Sequence, residues 1–226
     1  MAVNILLIDT ATAVCHVGLL QGERLWQRTL HEAFKHAEQL TSTIDALMQE
    51  AGLGYAQLDA VAVTGGPGSY TGLRIGAATA KGICFGTAAK LLALNTLEVM
   101  TEGFKQVHTS LPADAVLLPM LDARRMEVFT MATDLKDEVL LLPQAVVLDA
   151  DSFKQWHERS CYFFGDGALK FETLFAGQAV KFYEELFLSL EAMATLAKRA
   201  FSLGNFESVA YYRPDYHKDF YTPAAK

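Results

Sequence analysis

The densest chemistry in the chain is a glycine-rich run, TGGPGSYTGLRIGAATAKG, from Thr64 to Gly82. Glycines between an apolar stretch and a helical one can expose a nucleophile, cradle a phosphate, or let two backbones touch. A nucleophile elbow needs glycine two positions before and two after its serine, but Ser69 has Pro67 and Thr71 there. A Walker loop ends in Gly-Lys-Ser/Thr, whereas Lys81 lies well inside the following helical stretch and precedes Gly82. What survives is a strand, a glycine turn and a helix N-terminus capped by Ser69 or Thr71, where free N–H groups and the helix dipole attract an anion. A plain tight turn built by Gly65, Gly66 and Gly68 explains the same residues equally well.

His31, His36 and Glu38 suggest a metal, but a metalloprotease helix needs histidines four apart, and Lys35 and Leu40 stand at those positions. No metal site is expected. Asp9 and Asp122 end apolar runs, where carboxylates of nucleotide-binding folds hold hydrated magnesium; strand-end aspartates are as often turn residues. FFGDGALK repeats the strand-then-glycine pattern with Gly165 and Gly167, either to admit a ligand or to make a turn. Cys15, Cys84 and Cys161 are far apart among apolar neighbours and read as core residues.

The elements that would position these groups follow from periodicity. NILLIDT and VCHVGLLQGERLWQRTL make a meander of strands with a turn at Gln21-Gly22. Leu40, Ile44, Leu47, Met48 and Ala51 recur at helical spacing, with Gly52 as the C-terminal cap. LDAVAVTGG is a buried strand, a helix spans about Thr71 to Phe85, AKLLALN is a strand, and a further helix spans about Thr96 to Gln106. The second half repeats the plan. Its meander is AVLLPMLDARRMEVFTMAT and EVLLLPQAVVL, followed by a helix around DSFKQWHER, the strand CYFFGDGA and a helix around SLEAMATLAKRAFSLG. This is a duplicated α/β domain with mixed sheets, 1–106 and 107–226, whose ligands would sit at strand carboxyl ends in a cleft between the halves. The aromatic tail reads as a C-terminal arm that packs back on the first domain.

The chain has 226 residues, 51% of them hydrophobic, and a formal net charge of −7. Strong direct nucleic-acid binding is not expected, because such binding draws on lysines and arginines that neutralise phosphates. Arg124-Arg125 and Lys198-Arg199 are the visible basic clusters and read as solvated faces. No stretch approaches the roughly 18 apolar residues of a membrane span, and MAVNILLIDT lacks a charged n-region or cleavage site. A soluble cytoplasmic protein is expected.

Four segments, ILLIDTATAVCHVGLL, DAVAVTGGPGSYTGLRIGAATAKGI, LDARRMEVF and FFGDGA, resemble the TsaB (YeaZ) family, bacterial proteins required for making threonylcarbamoyladenosine in tRNA. The likeness runs through most of the chain and is weakest from about Lys136 to Ser160 and in the tail. It implies an actin-like, Hsp70-like (ASKHA) fold of two related domains and a non-catalytic role. The implied partners are a catalytic sister, TsaD, and a small ATPase, TsaE. His36 stands where the sister's first metal-binding histidine would be, and Leu40 replaces the second.

The resemblance also implies pairing through the two helices of the first domain, in a homodimer or with the sister. His36, Leu40, Ile44 and Leu47 on one helix, with Tyr70, Leu73, Arg74, Ala77 and Lys81 on the other, would then form the interface. The small residues Gly72, Gly76, Ala77, Ala80 and Gly82 would admit the partner helix, or else let this helix pack closely on its own sheet. Leu73→Glu would test the interface. Asp9, Thr10, Thr12, Gly66, Gly68, Asp122, Gly165 and Gly167 would be a vestigial nucleotide cleft, with no cofactor or at most weak ATP or ADP binding. The rival reading is an ATP hydrolase or a glycoprotease-like peptidase. Against the peptidase stands the lack of an elbow, paired metal ligands or a Ser/His/Asp set. Against the hydrolase stands DTATA, without the glycine that functional members of the fold keep after the first aspartate.

Overall fold

A computed structural model describes residues 3–31, 36–172, 174 and 180–216, without the side chains of 36 and 37. The chain forms two units. The first comprises Met1–Pro112 and Leu186–Pro214; the second comprises Ala113–Glu185, with the chain rejoining it at Asp215.

In the first unit, β1 (Asn4–Asp9), β2 (Cys15–Gln21) and β3 (Arg24–Leu30) form an antiparallel meander. Gly22, at φ 61°, makes the tight turn between β2 and β3. Strand β4 (Ala60–Gly66) adds parallel to β1 and β5 (Lys90–Asn95) parallel to β4, giving the order β3-β2-β1-β4-β5. The central strands are apolar throughout because helices cover both faces. Leu6, Ile8, Val61 and Val63 meet α1 (His36–Glu50) and α2 (Tyr70–Gly86) on one side. Ile5, Leu7, Ala60 and Ala62 meet α5 (Leu190–Leu203) and Val99 of α3 (Thr96–Val107) on the other. Alternate residues of one strand therefore feed two cores, and each fully buried leucine or isoleucine contributes about 1.5–3 kcal/mol.

Helix α1 ends as its sequence suggests: Gly52 adopts φ 67°, and Leu53 N–H reaches back to Met48 O at 3.0 Å. Helix α5 comes from the far end of the chain yet packs against α3, β5 and β1. Its own cap is Ser189, whose hydroxyl accepts from Ala192 N–H.

The second unit repeats the strand plan. Strands β6 (Val116–Asp122), β7 (Glu127–Thr133) and β8 (Val139–Val147) form the meander, and β9 (Cys161–Phe164) and β10 (Val180–Tyr183) add in parallel, in the order β10-β9-β6-β7-β8. Among the described residues its helices are reduced to the short α4 (Leu169–Glu172) and a single 3-10 turn, Lys154–Trp156. The helix expected around DSFKQWHER is therefore corrected to a turn. Asp149 accepts Asp151 N–H and Ser152 Oγ–H, and Phe153 sits at φ 62°, so the local side chains capture the backbone that a helix would need. Phe153, Trp156, Phe163 and Phe171 instead form an aromatic core on this face of the sheet.

Each unit is a mixed five-stranded sheet with helices, an α/β fold as the resemblance implies, and all three cysteines are buried free thiols. No helix among the described residues is long and apolar enough to cross a membrane.

Candidate functional site

Strand β4 runs out at Gly66, and the chain turns through a cis Gly66–Pro67 bond and Gly68 into α2. Ser69 caps that helix, its Oγ accepting from Gly72 N–H at 3.3 Å. The β1–β2 loop lies directly on this turn. Cβ atoms added to Gly68, Gly72 and Gly76 would stand 2.4 Å from Ala11 O, 2.1 Å from Thr10 O and 2.3 Å from Thr10 Oγ1. Gly68 and Gly72 therefore admit the loop backbone and Gly76 the Thr10 side chain, with Ser69 N–H donating to Ala11 O at 2.6 Å.

Asp9, only 4% exposed, accepts from Thr64 Oγ1 at 2.8 Å and from Ala11 N–H at 3.0 Å, while Thr10 N–H donates to Thr64 Oγ1. Thr12 closes its own turn, donating to Val14 O and accepting from Val14 N–H. Thus Asp9 and Thr10 meet Thr64 and the Gly68 turn, Thr12 serves its own turn, Thr10 Oγ1 is buried without a hydrogen-bond partner among the described residues, and an anion at the helix N-terminus would have to displace the Thr10–Ala11 backbone. Cys15 registers the carboxylate nearby: burial first, then the charge of Asp9, pushes its thiol up to about 12.

The second unit has its own strand-end cluster. Asp122 accepts from Lys170 Nζ and from Arg124 N–H, each at 2.5 Å, and its own N–H donates to Asp166 Oδ1 at 2.8 Å. Burial is the largest influence on Asp122 and raises its pKa, but Lys170 and Arg124 together outweigh it and hold the carboxyl below its ordinary value. Asp166 shifts the opposite way, raised by burial and by the charge of Asp122. Gly165 serves its φ of 110°, and Gly167 serves close packing, since a Cβ there would stand 2.7 Å from Val128 Cγ1. Lys170 and Asp166 were missed in the sequence, although both lie in the FFGDGALK run that was singled out.

The helical face needs correction at several positions. Leu40, Ile44, Leu47 and Leu73 are all 0% exposed and Ala77 is buried, so these residues belong to the unit's own core and cannot meet a partner. Lys81 is also redirected: its Nζ donates to Tyr212 O at 3.1 Å and to Ala210 O at 3.4 Å. The small residues divide by face, with Gly72 and Gly76 against Thr10 of the β1–β2 loop, Ala80 in the core, and Gly82 and Gly86 open, nothing lying within 4 Å of a Cβ at either.

What α2 presents outward is Tyr70, Arg74, Ala78, Gly82 and Phe85, the last 88% exposed. Arg74 donates to Tyr70 Oη at 2.8 Å and leans toward its ring. Ala78 and Phe85 went unnoticed in the sequence, though the spacing Ala78-Gly82-Gly86 carried the signal. His31 and Glu38 are exposed, and the side chain of His36 lies outside the described residues.

A family model described as "TsaD: tRNA N6-adenosine threonylcarbamoyltransferase" matches residues 31–214. The chain belongs to that family, in its TsaB (YeaZ) branch. It is 32% identical over 161 residues to the tRNA threonylcarbamoyladenosine biosynthesis protein TsaB of Haemophilus influenzae, a match covering 69% of this chain and 61% of that protein. The TsaB of Escherichia coli is 30% identical over 132 residues, 56% of this chain and 53% of that relative. Among solved structures, YeaZ from Pseudomonas aeruginosa superposes with a TM-score of 0.80 at 25% identity, covering 95% of this chain and 99% of that one. The matches thus span little more than half the length of these two TsaB relatives. A shorter match, 49% over 63 residues, joins 28% of this chain to 18% of the tRNA N6-adenosine threonylcarbamoyltransferase of Erythrobacter litoralis.

Proposed function

We propose that this chain is a cytoplasmic, non-catalytic docking subunit of the machinery that makes threonylcarbamoyladenosine in tRNA. It binds a TsaD-like catalytic sister through the outer faces of α1 and α2, works with a TsaE-like ATPase, and pairs with itself when alone. The observation that carries this reading is the division of α2. Its inner glycines lock the β1–β2 loop onto the helix N-terminus, while its outer stripe of Arg74, Ala78, Gly82 and Phe85 stays open and apolar enough to admit a helix. The TsaB names of the relatives support the pathway.

The test is light scattering after size exclusion, on the chain alone and mixed with the TsaD-like protein of the same organism. A mixed complex is expected for the wild type and none for Ala78→Arg, which places a long charged side chain on the open stripe. An unchanged complex in a folded Ala78→Arg protein would sink the reading. Leu73→Glu does not serve, because it buries a carboxylate in the core and unfolds the unit.

A further inference from the structure

Helix α5 ends at Gly204, held at φ 71°, and residues 204–214 then cross the first unit as a strap. It is held at three points. Glu207 N–H donates to Leu91 O at 2.8 Å on edge strand β5, Lys81 Nζ of α2 donates to the carbonyls of Ala210 and Tyr212, and the Tyr212 side chain is buried in the core that α1 and α2 cover. Elsewhere the strap faces water: from Gly204 to Arg213 only Val209 and Tyr212 are withdrawn from it. A segment with so few buried contacts opens locally without unfolding what it rests on.

The tip of the Tyr212 ring lies at the start of the glycine turn. A Cβ added to Gly65 would stand 3.0 Å from Tyr212 Oη and 3.4 Å from Ala93 Cβ, so the tyrosine occupies the space that a side chain at Gly65 would need. At the same residue the pairing of β4 with β5 shifts register, between Thr64 and Gly66. Such an irregularity re-aims a strand, and this one leads the chain out of β4 toward Ser69 and the first turn of α2. The β1–β2 loop meets the turn and the helix start at Gly68 and Gly72; Tyr212 meets it at Gly65. Lys81 belongs to the helix that this turn begins, and its charge-assisted bonds grip the Tyr212 carbonyl and that of Ala210 just before it.

Resting on the docking reading above, we propose that the strap is a latch on the docking helix: Tyr212, seated at Gly65, is a positioning residue for the N-terminal turns of α2, Lys81 fixes the seat, and release of the strap loosens α2 and weakens the complex with the catalytic sister. Because coupling between two sites is reciprocal, docking on α2 tightens the strap in turn.

The experiment is hydrogen exchange read by mass spectrometry on the full chain, alone and with the TsaD-like protein of the same organism, with light scattering to follow the complex and thermal melts to establish folding. Tyr212→Ala and the milder Lys81→Met should speed exchange at the amides of residues 72–76 about tenfold or more, weaken the complex about tenfold, and leave α3 and α5, on the other face of the sheet, at wild-type rates. Gly65→Ala should act in the same direction, and adding Tyr212→Phe, which removes the hydroxyl that the new methyl meets, should restore wild-type exchange. A tyrosine that merely filled the core would give no such rescue. Wild-type exchange at α2 in folded Tyr212→Ala and Lys81→Met proteins overturns the latch, and so does acceleration spread equally over both faces of the sheet. A loosened α2 with an undiminished complex overturns its coupling to docking. A wild-type chain that binds no sister sinks the docking reading alone, and the exchange rates still decide whether Tyr212 positions α2.

Discussion

Two glycines of α2, Gly72 and Gly82, alike on paper, have opposite tasks. Gly72→Ala forces a Cβ to within 2.1 Å of the Thr10 carbonyl and should cost about 2 kcal/mol or more, because backbone cannot step aside as a side chain does. Gly82→Ala meets nothing and should stabilise the isolated chain by about 0.5–1 kcal/mol through helix propensity alone. Urea midpoints of the two variants should move in opposite directions. The sequence displayed the small residues but could not assign them to faces, since a helix small on two sides offers no contrast for periodicity to read.

Asp122 is a second case of a role set by its surroundings. Its folded pKa lies below the ordinary value, so the stability it contributes is present above that ordinary value and lost as pH falls through the lowered one. Asp122→Asn should flatten the acid limb of the stability curve while leaving the limb near neutrality parallel to wild type, as followed by circular dichroism in urea at stepped pH.

At the scale of elements, most strands were legible because both sheets are meanders extended by parallel strands, and apolar runs bounded by glycine turns mark them; β10 (Val180–Tyr183), only four residues long, was not expected. The exception, the turn that replaces a helix around Lys154, shows what pattern reading omits. Side chains of Asp149 and Ser152 compete for backbone N–H groups, and a helical spacing of aromatics is equally served by a compact cluster around Phe153. The interface residues failed for a related reason. Leu40, Ile44, Leu47 and Leu73 are the strongest apolar positions of their helices, and a helix lying on a sheet commits its strongest positions inward. What is left on the outer side of α2 is alanine, glycine and the solvent-facing Phe85. Tyr212 shows that even the tail has an inward residue, invisible to periodicity because the strap has none.

For the whole molecule, the first unit is sewn from two distant stretches of chain. Leu190, Ala192, Met193 and Ala197 of α5 complete the core that Ile5, Leu7 and Leu92 begin. A chain truncated after Glu185 should therefore lose cooperative melting of the first unit, since one face of its sheet would stand uncovered. The far position of α5 in the sequence also bears on synthesis. Domains usually fold in the order in which they leave the ribosome, but here the first unit's sheet waits for a helix made only after Ala113–Glu185 of the second unit. Throughout that interval the ribosome carries an open apolar surface formed by the earliest strands, so chaperone contact during translation should fall on the N-terminal half and end only when α5 emerges.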